Sequence, residues 1–312
     1  MDTITLCHVS DNNGIWDANY AALLVAQPPA GCCIWTKKLS GLAVACIWIK
    51  INCHDVLRNL NTTQEDIDQL TEIIRDWLGK YDIAMDDFHV NRVDYDYNTI
   101  CQAPEIILDI LQQTPERAMR MDRTVYYHYS NISTGNTDNT EIEDARVQTV
   151  YYACKSRHAQ VYDKEAERDA KHRQPKEWEF GVLRQEVQCH HAHIKHMKRY
   201  YGLLPSWDNW ITLQMQEMYL RNTEAMFPHE DFYSILVAKN IVNASPYGSA
   251  KKRKLCEDLE LVASSGLFSL KQAYKSTNTY KDHLKCFEEL GINPMTIPEK
   301  YGIDHLENPL FR

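Results

Sequence analysis

The stretch Val90-Asn91-Arg92-Val93-Asp94-Tyr95-Asp96-Tyr97 decides how this chain is to be read. Valines alternate there with polar and aromatic residues, the pattern of a strand. Side chains of a strand point in turn to the two faces of its sheet, so Arg92, Asp94 and Asp96 share one face. A second stretch, Leu183-Arg184-Gln185-Glu186-Val187-Gln188, reads the same way and sets Arg184, Glu186 and Gln188 on one face. A third, Gln160-Val161-Tyr162-Asp163-Lys164-Glu165-Ala166-Glu167, reads as a strand running into a charged helix that ends near His172.

Outward from these segments, residues 3–9, 33–37 and 42–51 are rich in β-branched and aromatic side chains, with a turn at 28–31. Thr62 and Glu65 have the spacing of a capping box, and Ile67, Leu70, Ile73, Ile74, Trp77 and Leu78 recur at helical spacing behind them. Residues 104–112 form an apolar helical run. Two tyrosine-rich runs, 124–129 and 147–154, flank a polar stretch at 131–143 and read as a hairpin with a long loop. A helical pattern covers 208–227 and stops at Pro228. Residues 245–254, with Pro246, Gly248 and the run Lys251-Lys252-Arg253-Lys254, read as a linker. Three short helices are expected beyond it, at 255–264, 269–275 and 278–290, with Gly266 and Gly291 as stops. The class expected is α+β: an antiparallel sheet with helices packed on one face, plus a C-terminal helical region. The division expected is 1–244, with a β-rich N-terminal part, and 245–312.

At 312 residues and 44% hydrophobic side chains the chain can bury a full core. The longest apolar run, 42–51, is too short to span a bilayer, and the first residues lack the basic-then-apolar order of a secretory signal, so a cytoplasmic protein is expected. The ten cysteines show no Cys-x-x-Cys spacing, which disfavours a zinc ribbon or a redox motif. A net charge of −9 excludes a simple polycation, yet the charge is segregated. Residues 155–199 hold eleven Lys/Arg against seven Asp/Glu, and 249–285 hold eight against four. Local charge therefore permits a nucleic-acid partner that bulk charge disfavours.

The three segments together carry the residue types that metal-assisted phosphodiester cleavage needs. Carboxylates on strands, Asp94, Asp96 and Glu186, can converge on one hard cation such as Mg²⁺ or Mn²⁺. Tyr162 is the candidate nucleophile, since a phenolate can bond to a phosphorus and later be displaced. With an ordinary pKa of ~10 it needs a nearby cation, and Lys164, Arg184 or the metal could supply one. Each residue also has an ordinary reading. Asp94 and Asp96 suit a solvated strand face, Arg184 and Glu186 an ion pair, and Tyr162 a core aromatic. The run His190-His191-Ala192-His193 lacks a second ligand cluster and suits a solvated or DNA-facing helix end. Lys251, Lys252, Arg253 and Lys254 suit a solvated linker or contact with phosphates.

In these segments the chain resembles the phage and plasmid replication proteins of the gene II/X family, and more distantly the Rep_trans plasmid initiators. The resemblance runs from Met1-Asp2-Thr3-Ile4-Thr5-Leu6 through Asn91-Arg92-Val93-Asp94, Tyr162-Asp163-Lys164-Glu165-Ala166-Glu167 and Leu183-Arg184-Gln185-Glu186. It ends at Leu290-Gly291-Ile292-Asn293-Pro294 and Leu306-Glu307-Asn308-Pro309. It implies a Rep-like fold and a rolling-circle initiator, a site-specific single-strand endonuclease and strand transferase that leaves a 3′-hydroxyl and keeps the 5′-phosphate on tyrosine. By the same resemblance Tyr162 is the nucleophile, Lys164 its assisting cation, and Asp94 and Glu186 metal ligands, with Asp96 a further one. The His-hydrophobic-His pair of related initiators has no counterpart here. Rep_trans members tend to have a second carboxylate where this chain has Gln188, which leaves His190 or His191 as substitutes. The implied partners are single- and double-stranded DNA at a replication origin, a host helicase and a polymerase. Arg92, Arg184, Lys251, Lys252, Arg253 and Lys254 are the expected DNA contacts. The C-terminal helices suit either a helix-turn-helix-like unit, with Lys271, Lys275, Lys281 and Lys285 on phosphates, or a cap on the catalytic domain. A non-catalytic DNA-binding regulator, a conjugative relaxase, and a nuclease that uses water are the alternatives. Tyr151 or Tyr152 would be the second tyrosine if termination uses one.

Overall fold

The structure is a computed structural model and describes residues 1–10, 17–38, 45–128 and 146–311. The expected loop at 131–143 and the start of the run at 42–51 lie outside the described residues. The class is α+β, with a large antiparallel sheet and, among the described residues, eleven helices. No described helix is long and apolar enough to cross a membrane. The chain forms two compact units that are interleaved in sequence. The first holds Met1–Asn98, Lys155–His158 and Glu186–Leu220; the second holds Thr99–Cys154, Ala159–Gln185 and Arg221–Arg312.

In the first unit β1 (Thr3–Val9) is flanked by β3 (Ala45–Asn52) and β4 (His89–Ile100), and β2 (Cys32–Lys38) lies beyond β3. The pairings of β1 with β3, β1 with β4 and β2 with β3 are antiparallel, with Leu6 opposite Ile49, Thr3 opposite Asp94 and Ile34 opposite Ile49. The end of β9 (Val182–Cys189) follows β4 in this order. Ile4, Leu6, Ile47, Ile49, Ile51 and Val93 are buried on these strands, as their β-branched character favours.

Helix α1 (Ala18–Val25), capped by Asp17, was not expected from the sequence. Helix α2 (Cys53–Leu57) leads to α3 (Gln64–Gly79). The α3 capping box uses Thr63 and Asp66, one residue later than the expected Thr62 and Glu65. The Thr62 hydroxyl instead accepts from the Met1 amino group, at 2.6 Å. Ile67, Leu70, Ile74, Trp77 and Leu78 form the buried stripe of α3, each worth about 1.5–3 kcal/mol when fully removed from water. The His-rich run forms a helix of its own, α6 (His191–Tyr201), closed by Gly202 in the left-handed conformation. The single helix expected over 208–227 is two, α7 (Trp207–Trp210) and α8 (Leu213–Arg221).

In the second unit β6 (Met121–His128) and β7 (Arg146–Ala153) form the expected hairpin, with a register shift at Tyr126/Tyr127. The short β5 (Arg117–Ala118) extends it, and β8 (Arg157–Asp163) follows β7 on the other side. Helix α4 (Pro104–Leu111) matches its apolar run, and α5 (Lys164–Ala170) starts after β8. Helix α9 (Ile235–Ala244) packs Ala238 and Val242 against Leu255, Leu259, Cys286, Phe287 and Ile292. The expected linker is shorter than its composition suggests, because α10 (Ser249–Ala273) begins inside it and carries Lys251 to Lys254. Gly266, with φ 75° and ψ 168°, breaks α10 into two segments; α11 (Thr277–Glu289) completes the three expected helices.

The two Asn-Pro pairs near the C-terminus do the same structural work. The Asn293 amide donates to the carbonyls of Pro228 and Glu230 at 3.2 and 3.3 Å, and the Asn308 amide donates to the same two at 2.8 and 3.0 Å. Each asparagine carbonyl also accepts from the backbone two residues on, at 3.1 Å. The turn around 228–230 is thus pinned from both sides, beside the pairing of β10 (Phe232–Tyr233) with β11 (His305–Leu306).

Candidate functional site

Pairing of β1 with β4 brings the start of the chain to the acidic strand. Thr3 lies opposite Asp94, and the Asp2 amide donates to the Asp94 carbonyl at 2.9 Å. Asp2, Asp94 and Glu186, from the residue before β1, β4 and β9 in that order, each offer an oxygen within 4.8 Å of the others. Asp94 and Glu186 are buried, and all three residues belong to the first unit. The donor set is carboxylate only, which fits a hard divalent cation. The convergence of Asp94 and Glu186 is that of two strand faces; Asp2 is an addition the sequence did not indicate, because no periodicity reaches a residue that precedes its strand.

Arg92 closes one side of this group with a fork on Asp94, its Nε 2.8 Å from Oδ1 and its Nη2 2.7 Å from Oδ2. Burial pushes the Asp94 carboxyl well above the ordinary carboxylate range; Glu186 and Asp2 add to the rise, and Arg92 opposes it. A nearby divalent charge would reverse that balance, since it favours the ionised form. On the other side the Gln188 amide donates to Glu186 at 2.5 Å. Gln188 in turn meets His158 Nδ1 at 3.2 Å, and His190 Nε2 lies 3.1 Å from the same nitrogen. Burial, with His158 and Arg92 adding to it, pushes the His190 imidazole down to about 4. His190 thus stands at the end of a polar chain that leads to Glu186 through His158, a residue the sequence did not single out. His191 lies on the exposed side of α6.

Asp96 falls into a different group. Residues two apart on a strand are about 7 Å apart along it, so sharing a face with Asp94 does not bring the two carboxylates onto one cation. Asp96 Oδ1 lies 2.9 Å from the Met1 amino group, and Oδ2 lies 2.7 Å from His54 Nε2 and 2.6 Å from the Asn98 amide. Asp2, His54 and Asp96 also have ligand atoms within 4.8 Å of one another, so Asp2 is common to both groups. His54 Nδ1 is 2.9 Å from the Asn59 carbonyl, which fixes the ring.

Tyr162 and Lys164 lie in the second unit, where β8 ends and α5 begins. Asp163 between them is the α5 cap, its Oδ1 accepting from the Glu165 and Ala166 amides at 2.9 and 3.2 Å. Tyr162 is 5% exposed, so the ordinary reading of a core aromatic describes its burial. Lys164 Nζ lies 5.5 Å from the centre of the Tyr162 ring and 3.1 Å from Glu167. At Glu167 burial acts against ionisation, but Lys164 and Lys171 outweigh it and hold the carboxyl below its ordinary value.

The expected DNA contacts divide. Arg184 is 1% exposed, a buried cation that cannot reach a DNA backbone as it stands. Arg92 is partly exposed but committed to Asp94. On α10, Lys251 sits 4.5 Å over the Tyr247 ring, Lys252 donates to the Asn243 carbonyl at 2.7 Å, and Lys254 is 3.3 and 3.4 Å from Glu257 and Asp258. Arg253 is exposed. Of the C-terminal lysines, Lys285 lies 3.9 Å from Glu289.

No protein-family model matches the chain. No curated protein matches it. Among solved structures, the di-domain ARO/CYC StfQ from the steffimycin biosynthetic pathway is 11% identical over 61% of this chain and 68% of its own, with a TM-score of 0.17. A similarity of that size carries no argument about fold or function.

Proposed function

We propose that the chain is a metal-dependent DNA-nicking enzyme, a rolling-circle replication initiator that cleaves one strand and holds its 5′-phosphate on Tyr162. The observation that supports it most is the convergence of Asp2, Asp94 and Glu186, three carboxylate oxygens within 4.8 Å from separate parts of the sequence. Mg²⁺ or Mn²⁺ held by these residues would neutralise charge on the scissile phosphate as the 3′ oxygen departs. The residues of the chain supply the rest. Tyr162 loses its phenolic proton to solvent, its oxygen forms the bond to phosphorus, and the bond from phosphorus to the 3′ oxygen breaks. The departing oxygen takes a proton and becomes the primer hydroxyl. Lys164, close to the ring, favours the phenolate.

A second reading has one observation in its favour. A ring that is 5% exposed is poorly placed to attack, so water could be the nucleophile instead. One experiment separates the two. The protein is mixed with Mn²⁺ and labelled single strands tiling the DNA around its own gene, then run on a denaturing gel. A covalent protein–DNA band in wild type, lost in Tyr162→Phe, is expected; Asp94→Asn and Glu186→Gln should lower cleavage by about 100-fold or more. Undiminished cleavage by Tyr162→Phe assigns the attack to water. Wild type that cuts no strand ends both readings.

A further inference from the structure

On the first unit, β1, β4 and α6 enclose an open groove of about 630 Å³ that plays no part in the carboxylate group. Buried Val90 and Ile194 form its floor, with Val9 and Pro205 beside them. Exposed Lys195, Lys198 and Arg199 line its α6 side. These cations stand at i, i+3 and i+4 on one helix face, within about 6 Å of axial rise. Helix α6 contains no acidic residue, and among the described residues that line the groove there is no carboxylate. Like charges so placed repel one another, and a polyanion would relieve that repulsion. At the end of the same helix Tyr200 and Tyr201 are 62% and 71% exposed. The Arg199 guanidinium lies 5.3 Å from the Tyr200 ring, and His196 packs 4.5 Å from it.

We infer that this groove and the end of α6 grip a single DNA strand, with bases on the tyrosines and the apolar floor and phosphates on Lys195, Lys198 and Arg199. An unpaired strand is the ligand that uses every part of the surface. Its bases have apolar faces to lay on rings and aliphatic side chains, while its backbone carries the charge that the cations need. A duplex keeps its base faces stacked and would leave the tyrosines and the floor in water. That the strand is DNA rests on the nicking function proposed above; that it is unpaired and anionic rests on the groove.

The test uses the full chain in EDTA, so that binding is read without cleavage, and follows the anisotropy of a fluorescein-labelled oligothymidylate of about 16 nucleotides. Lys195→Ala/Lys198→Ala/Arg199→Ala is expected to weaken binding by about ten-fold or more and to lower the slope of log affinity against log salt by about 2. Tyr200→Ala/Tyr201→Ala is expected to weaken it by about ten-fold with the slope unchanged. All five side chains are exposed, so both variants should melt with wild type. Wild type that fails to bind, or variants that bind as it does, overturn the inference. So does tighter binding of a polyribonucleotide, a duplex of equal length or polyglutamate. Binding in EDTA without cleavage in Mn²⁺ would remove the nicking function and leave the groove as a strand-binding surface.

Discussion

His193 shows how one side chain can set the acid limit of the fold. It lies on α6 with Nε2 2.6 Å from the Tyr219 hydroxyl, and the rings of Tyr219 and Trp210 meet it edge-on. Burial, then Arg157 and His196, push its imidazole down to about 4 from an ordinary 6.5. Between those two values the unfolded chain holds a proton that the folded chain refuses, so the stability His193 contributes is complete above pH 6.5 and is lost as pH falls toward 4. The expected loss is on the order of 1–2 kcal/mol after allowing for solvent screening. Urea unfolding of wild type and His193→Gln at several pH values checks it. The difference between the two curves should open below pH 6.5; parallel curves would contradict this account. Asp94 has the opposite sign, since its carboxyl is raised, and the comparison with His193→Gln removes its contribution.

At the scale of elements, what could be read in advance depended on whether a signal was local. Strands β4, β8 and β9 announced themselves by alternation, and the Asp163 cap sits in the turn from β8 to α5. Asp94, Glu186 and Tyr162 therefore lie on the strands that alternation predicts for them. The His-rich run reads from the sequence only as the end of a helix and not as a helix of its own, because only His193 and Ile194 on α6 are buried, too few to form an apolar stripe. Asp2 joins the acidic group, and His158 meets Gln188 beside it, through tertiary pairing, which no spacing along the chain encodes. Gly266 was legible as a stop, and its role is backbone geometry. At φ 75° and ψ 168° it occupies a region that is costly for any residue with a side chain. A Cβ there would also stand 3.2 Å from the Gln113 carbonyl oxygen, the same oxygen that accepts from the Leu267 amide at 2.9 Å. Gly266→Ala is therefore expected to cost about 1–3 kcal/mol in urea unfolding. A change under about 0.5 kcal/mol would show that the break in α10 can shift without strain.

For the molecule as a whole, the decisive fact is that the chain passes between its two units five times, so neither unit is a continuous piece of sequence. Composition pointed to a boundary at 244/245, since Pro, Gly and basic residues cluster there, but composition cannot report which distant residues a tail will bind. Residues beyond 245 are tied deep into the second unit. The Thr99 hydroxyl donates to the Pro309 carbonyl at 2.7 Å, and the Tyr301 hydroxyl donates to Asp109 at 2.9 Å. Lys300 lies 2.8 Å from the same carboxylate, and Phe232 pairs with Leu306. Asn293 and Asn308 pin the turn at 228–230, and Leu255, Leu259, Phe287 and Ile292 cover the buried face of α9. Four such side chains at about 1.5–3 kcal/mol each approach the whole stability of an ordinary domain, roughly 5–15 kcal/mol. A fragment ending at 244 is therefore expected to lose the second unit's cooperative melting and to bind a hydrophobic dye, while the full chain melts cooperatively. If the fragment instead kept a sharp thermal transition and the near-ultraviolet dichroism of its remaining aromatics, the C-terminal helices would be an appendage. In that case the tail contacts would contribute little to holding Thr99, Asp109 and α9 in place.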